Sequence, residues 1–161
     1  MSCSNLIDLN DDCLLCIASF LHLRDLLSFE HVCQRTQQVA RLQYRKYRRY
    51  RLLLREEGGE SDKVLSSIGE FIECMEFSCG FTISSDIKRR ILGNIARFCE
   101  KMHTIILRYF SLNSIETIED LQPLANCKAL KTIYLINCDA NSEFLQNYEE
   151  LKHVKIIDYH Q

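Results

Sequence analysis

The N-terminal part of the chain carries apolar positions at helical spacing. The first stripe consists of Leu9, Cys13, Leu14, Ile17 and Leu21. This period of about 3.6 residues predicts a helix from Leu9 to Leu21, with Asn10 or Asp11 as its cap. Apolar groups within 26–29 and 32–42 predict a second and a third helix. We therefore expect a small helical domain over residues 1–46.

A second pattern, a repeated apolar hexad, begins after residue 64. An aliphatic residue or methionine stands at its first, fourth and sixth positions, except for Phe77 at the sixth position of the first hexad. The hexads begin at Ile72, Met102, Leu130 and Leu151. Their spacing is close to the 20–29-residue period of leucine-rich repeats, and segments with helical spacing lie between them. The fold class we predict is α+β overall: a helical N-terminal domain, then a short α/β leucine-rich-repeat solenoid with a parallel sheet at residues 64–161.

The turn position of these repeats is irregular. In leucine-rich repeats the ninth residue is usually Asn or Cys, whose side chain satisfies backbone groups after the strand. Cys138 fits this position, whereas Gly80, Phe110 and Tyr159 do not. We therefore expect three to four irregular repeats.

Charge and glycine content mark a boundary between the two patterns. Residues 41–55 carry seven bases and no acid, although the net charge of the whole chain is only -2. Residues 55–62 contain two adjacent glycines and no apolar residue, which is typical of a linker. We predict a basic helical connector and Gly-Gly linker at residues 47–63.

The composition narrows the class of protein. Nine cysteines are an odd number, the N-terminus lacks a signal-peptide pattern, and the longest apolar run is far short of the roughly 20 residues that span a bilayer. A reduced protein of the cytoplasm or nucleus is expected, with no membrane contact. Cys13 and Cys16 have metal-ligand spacing but no second ligand pair, and no nucleotide-binding or zinc-protease motif occurs, so we expect no metal, cofactor or catalytic residue.

The segments Leu9–Leu21, Leu23–Leu26 and Val32–Arg35 together resemble an F-box, over about residues 6–46. Two positions differ from the usual pattern: Asn10 replaces proline and Thr36 replaces an aromatic residue. The resemblance implies a three-helix module that docks on the Skp adaptor of a Skp–cullin–F-box ubiquitin ligase, and through it on a cullin.

The expected Skp-adaptor contacts are Leu9, Cys13, Leu14, Ile17, Leu21, Leu26, Leu27, Val32 and Cys33. A small helical module leaves much of its apolar surface exposed, so a partner can cover some of these side chains. The alternative is that they form the core of an intramolecular bundle.

In F-box proteins with such repeats, the repeats capture the target protein. Residues that alternate with the core positions of the strands give the expected substrate contacts: Ile106, Arg108, Tyr134, Ile136, Lys155 and Ile157. They form an apolar patch flanked by two cations. The alternative is a mildly apolar face without a ligand, or one covered by the preceding domain.

We interpret the chain as a non-catalytic substrate receptor of a ubiquitin ligase. Two alternatives stay open. The basic stretch 41–55 interleaves Tyr44, Tyr47 and Tyr50 with cations, a pattern that nucleic-acid-binding segments use. A scaffold that binds the Skp adaptor without directing ubiquitination is the other.

Overall fold

The computed structural model describes residues 5–54, 59–80, 83–141, 145 and 148–159. The chain divides into two compact units, residues 1–46 and residues 47–161. Part of the predicted Gly-Gly linker (55–58) lies outside the described residues. So do residues 142–144 and 146–147 of the segment between the third and fourth hexads, for which helical spacing was expected.

The first unit consists of three helices, preceded by a 3₁₀ turn at Leu6–Asp8. The helices are α1 (Asp11–Phe20), α2 (Leu23–Glu30) and α3 (Gln34–Tyr44). Both α1 and α2 pack against α3. Its buried apolar side chains are Leu14, Ala18, Leu26, Phe29, Val39, Ala40 and Tyr44.

The start of α1 is fixed by Asn10. Its side-chain oxygen accepts a hydrogen bond of 2.8 Å from the backbone N–H of Cys13, which confirms the predicted cap. Asp11, in the first turn, accepts a 2.7 Å hydrogen bond from Arg35 of α3. An asparagine thus performs the capping role at a position where an F-box usually has proline.

The second unit is built on a five-stranded parallel sheet. Its strands, in spatial order, are β1 (Arg49–Leu54), β2 (Cys74–Cys79), β3 (Thr104–Arg108), β5 (Thr132–Ile136) and β7 (Lys155–Tyr159). Two short strands, β4 (Ser111–Leu112) and β6 (Asp139–Ala140), form a separate parallel pair.

Helical segments connect the strands. The α-helices are α4 (Gly59–Ile68), α5 (Ser85–Phe98) and α6 (Ile115–Ile118), and 3₁₀ segments occupy Arg45–Tyr47, Gly69–Phe71, Glu119–Asn126 and Glu149–Leu151. α5 occupies one of the segments with helical spacing that lie between the hexads. Parallel pairing requires such crossover segments, because each strand must start from the same end of the sheet.

The predicted helical connector at 47–63 is wrong over Arg49–Leu54, which forms β1. Leu52 and Leu54 are buried while Arg51 and Leu53 are exposed, so this segment follows the two-residue period of a strand. It pairs with β2 over six residue pairs. The strand is favoured over a helix here because its backbone pairs with β2 and it buries Leu52 and Leu54 in the core.

The first three hexads predict the strand register correctly. Cys74 pairs with Thr104, and Thr104 pairs with Thr132. The fourth is displaced by two residues, because Lys155, and not His153, pairs with Thr132. Leu151 and Val154 are buried before β7 begins, so they cover the core from the connecting segment and the strand starts later.

The turns after β3 and β5 share one backbone conformation. Tyr109 and Asn137, at equivalent positions, have φ angles of 60° and 52°. The thiol of Cys138, one residue later, donates to the Leu107 carbonyl at 3.4 Å, as predicted for the ninth repeat position. Phe110 takes the equivalent place after β3, and its buried ring meets Phe77 edge to face at 5.3 Å. A core-filling aromatic side chain therefore replaces the polar one there.

The segment Glu119–Asn126 is held to α5 by a buried carboxylate. Asp120 is fully buried, and it accepts 2.8 Å and 2.9 Å hydrogen bonds from Arg89 and Ser85. These bonds satisfy both carboxylate oxygens. Without them, the buried charge of Asp120 would be unpaired and strongly destabilising.

We expect Gly69→Ala and Gly93→Ala to change stability in opposite directions. A Cβ at Gly69 would lie 2.7 Å from the Phe98 carbonyl oxygen, so overpacking should lower the free energy of unfolding by about 1–3 kcal/mol. A Cβ at Gly93 meets nothing within 4 Å, so in α5 alanine should raise it by about 1 kcal/mol. Urea denaturation of the full chain measures both, and an equal effect of the two substitutions would contradict this packing.

Candidate docking surfaces

The parallel sheet presents three rungs of side chains on the face opposite its core, here called the outer face. The first rung is Arg49, Cys74, Thr104, Thr132 and Lys155. The second is Arg51, Glu76, Ile106, Tyr134 and Ile157. The third is Leu53, Ser78, Arg108, Ile136 and Tyr159.

All six predicted substrate contacts lie on the outer face, but the shifted register moves two of them. Lys155 lies beside Thr132 instead of Tyr134, and Ile157 lies beside Tyr134 instead of Ile136. Tyr159 now occupies the third rung, and its ring stacks on that of Tyr134 at 6.0 Å. Sequence reasoning missed Tyr159 for this reason, and it missed the residues of β1 because that segment was expected to be helical.

Glu76 connects three strands of this face. Its carboxylate accepts hydrogen bonds from Arg51 of β1 at 2.9 Å and from Arg108 of β3 at 2.7 Å. The Glu76 side chain is only 17% exposed, so water screens these bonds weakly. Arg108, predicted to be a cationic flank of the patch, is thus already paired within the sheet.

The first unit leaves one apolar stripe of α1 accessible. It consists of Cys13, Cys16, Ile17 and Phe20, at the i, i+3, i+4, i+7 spacing of a single helix face, and we call it the docking stripe. Phe20 is 81% exposed and Cys13 and Cys16 are also exposed, while Ile17 is half-buried. An aromatic side chain this accessible is a candidate anchor for a protein partner.

The predicted Skp-adaptor contacts fall into two groups. Leu14 and Leu26 are fully buried, so for them the alternative of an intramolecular core describes the structure. The others retain accessible surface: Leu9, Cys13, Ile17, Leu21, Leu27, Val32 and Cys33. Cys16 and Phe20 were not among the predicted contacts, although the helical period places them on the same face as Cys13.

Cys33 and Thr36 cap the start of α3 reciprocally. The Cys33 sulfur accepts from the backbone N–H of Thr36, whose hydroxyl oxygen accepts a 2.9 Å bond from the backbone N–H of Cys33. The Thr36 backbone and side-chain hydrogen bonds lower the pKa of the Cys33 thiol. Thr36 is fully buried. It stands where an F-box usually has an aromatic residue, and it stabilises the start of α3 through these hydrogen bonds.

This three-helix arrangement, with a capped α1 and an exposed apolar stripe, can be compared with known domain families. Residues 6–48 match the F-box domain. F-box domains bind the Skp adaptor in Skp–cullin–F-box ligases, and F-box proteins are generally non-catalytic. No curated protein matches the chain.

Tyr44, the first tyrosine of the basic stretch, is used within the protein. Tyr44, in the F-box, is buried, and its hydroxyl donates a 2.7 Å hydrogen bond to the Glu30 carboxylate. Tyr44 is therefore not available to stack on a base. Two arginines of the same stretch face acids: Arg51 pairs with Glu76, and Arg48 lies 3.6 Å from Glu73.

Burial favours the protonated thiol form of the interior cysteines. Burial raises the pKa of the Cys79 and Cys99 thiols to about 12, and that of Cys127 to about 11. Among the described residues, no group of three or more His, Cys, Asp or Glu side chains could hold a metal ion. None of the helices in these same ranges combines the length and hydropathy that a membrane span needs.

We expect Glu76→Ala to destabilise the sheet by about 1–2 kcal/mol, because Arg51 and Arg108 lose their shared acceptor. Glu73→Ala is the matched control. Its pair with Arg48 spans 3.6 Å between side chains that are 66% and 40% exposed, so its loss should cost at most about 0.5 kcal/mol. Urea denaturation of both variants measures the free energy of unfolding. Equal losses would show that the hydrogen bonds of Glu76 to Arg51 and Arg108 do not stabilise the sheet.

We expect alkylation of Cys33 to accelerate at lower pH than alkylation of Cys74. The Thr36 hydrogen bonds lower the pKa of Cys33, whereas burial raises the pKa of Cys74. Mass spectrometry of iodoacetamide adducts against pH measures both cysteines in one sample. Thr36→Val should move the Cys33 profile to higher pH, because the hydroxyl contribution is lost; an unchanged profile would contradict the assignment.

Proposed function

We propose that this chain is the substrate-recognition subunit of a Skp–cullin–F-box ubiquitin ligase. The F-box docks on the Skp adaptor, and the second unit holds a target protein. The observation that carries the proposal is the F-box match at residues 6–48 on a helical unit whose docking stripe is exposed.

The docking stripe supplies enough apolar surface for a specific contact. Full burial of a side chain such as Phe20 or Ile17 contributes about 1.5–3 kcal/mol. Val32, 56% exposed, adds an apolar side chain from the turn between α2 and α3. After the entropy lost on association, three or four such contacts support a dissociation constant on the order of micromolar or lower.

The proposal treats the second unit as a short array of irregular leucine-rich repeats. Three observations support this description: the strands follow one another in chain order, the hexads set the register of β2, β3 and β5, and Cys138 bonds a backbone carbonyl after β5. In such an array the outer face holds the target.

The chemistry in this assembly belongs to other subunits. A receptor that binds the target with one unit and the Skp adaptor with the other raises the effective concentration of a target lysine near the ubiquitin-charged enzyme. This role needs no cofactor and no catalytic residue of the chain. It places the protein in the cytoplasm, the nucleus or both, with a cullin reached through the adaptor.

We expect Phe20→Asp to weaken binding of the full chain to the Skp adaptor by at least about tenfold. The substitution puts a charge in place of an aromatic side chain that the adaptor would bury in the complex. Phe20 is 81% exposed in the free protein, so the variant should keep its helical content. Gln38→Asp, at an exposed position of α3, is the matched control. Titration calorimetry measures affinity, and circular dichroism checks the fold.

Retention of wild-type affinity by a folded Phe20→Asp variant would contradict docking through this stripe. Absence of any affinity of the wild-type chain for the adaptor would overturn the proposed function itself. Leu14 and Leu26 are unsuitable targets for the same test, because charges at these fully buried positions would unfold the F-box.

A further inference from the structure

We propose that the outer face of the sheet binds an extended acidic segment of a partner protein, with acidic residues at both ends and apolar residues between them. This inference deepens the proposed function, on which it rests for the identity of the segment as part of a target.

The outer face has a charge opposite to that of the unit that carries it. Residues 47–161 contain seventeen acidic and fifteen basic residues, so this unit has a net charge of -2. Its outer face holds one acid, Glu76, and four bases, Arg49, Arg51, Arg108 and Lys155, so the face carries +3. Collecting cations on one face of an acidic unit favours an acidic partner.

The two unpaired cations lie at opposite ends of one rung. Arg49 in β1 and Lys155 in β7 are both exposed, and neither forms an ion pair with any residue that the structure describes. Four strand spacings of about 4.8 Å separate them, so their backbone positions lie about 19 Å apart. An extended chain of about six residues spans this distance. Two acidic side chains about six residues apart could therefore meet both cations.

The part of the face formed by β3, β5 and β7 is largely apolar and partly accessible. Ile106, Tyr134 and Ile157 lie side by side on the second rung, and Ile136 and Tyr159 lie beside them on the third. All five retain accessible surface. Aliphatic side chains offer no flat surface for a base, and the rings of Tyr134 and Tyr159 already stack on each other. This apolar area on β3, β5 and β7 favours apolar protein side chains over nucleic acid.

The test begins with the full chain as bait for a phage-displayed library of random peptides of about a dozen residues. We expect selected peptides to carry two acidic positions about six residues apart, with aliphatic or aromatic residues between them. Selection of basic or uncharged peptides would overturn the inference.

Variants then locate the binding. For a selected peptide, Arg49→Glu combined with Lys155→Glu should weaken binding at least about tenfold at low salt. Lys63→Glu combined with Arg90→Glu makes the same charge change at exposed positions of α4 and α5 and should leave affinity within about twofold. Fluorescence anisotropy measures both, and equal losses would contradict binding at the outer face.

Two further measurements separate the possible failures. If a single-stranded polyuridylate probe binds this face more tightly than the peptide, with the same dependence on Arg49 and Lys155, the inference is wrong and a nucleic acid is the ligand. Adaptor affinity, measured on each variant, tests the proposed function separately. Retained adaptor binding without peptide selection overturns only this inference, and peptide binding without adaptor binding overturns only the ligase role.

Discussion

A parallel strand cannot turn directly onto its neighbour, and this constraint organises the second unit. Each of the first four strands of the sheet must be followed by a segment that returns the chain to the same end of the sheet. α4, α5 and the 3₁₀ segments provide these returns, and core residues such as Phe77, Leu107 and Leu135 are fully buried. The alternate side chains of the same strands, apart from the buried Ser78, retain access to solvent. The core and the outer face therefore arise from one backbone arrangement.

The uneven charge distribution follows the same architecture. The basic stretch that begins at Arg41 is divided between the two units, and its C-terminal part becomes the edge strand β1. There Arg51 bonds Glu76 of the adjacent strand, and Arg108 bonds it from the other side. The positive block is therefore partly neutralised by an acid that lies 25 residues later than Arg51 in the chain. The outer face keeps a net positive charge, because its four bases outnumber Glu76.

Local periodicity was sufficient where one pattern dominated. The 3.6-residue stripe and Asn10 defined α1, and three hexads defined the register of β2, β3 and β5. It failed at β1, where two buried leucines lie within a basic run that also suits a helix. It failed again at β7, because Leu151, Val154 and Ile156 match the hexad although Leu151 and Val154 precede the strand. Exposure of Phe20 depends on how three helices pack, which no local pattern specifies.

The chain-order arrangement of the sheet has a consequence for biosynthesis. Each strand from β2 onward joins the sheet beside the main-sheet strand that precedes it in sequence, so no strand has to wait for a distant segment. Because each strand pairs only with its neighbours in chain order, folding can propagate from one strand to the next. During translation, an emerging strand already has its template in place. The exposed edge passes to the newest strand at each step, and β1 and β7 are the two edge strands of the sheet that the structure describes.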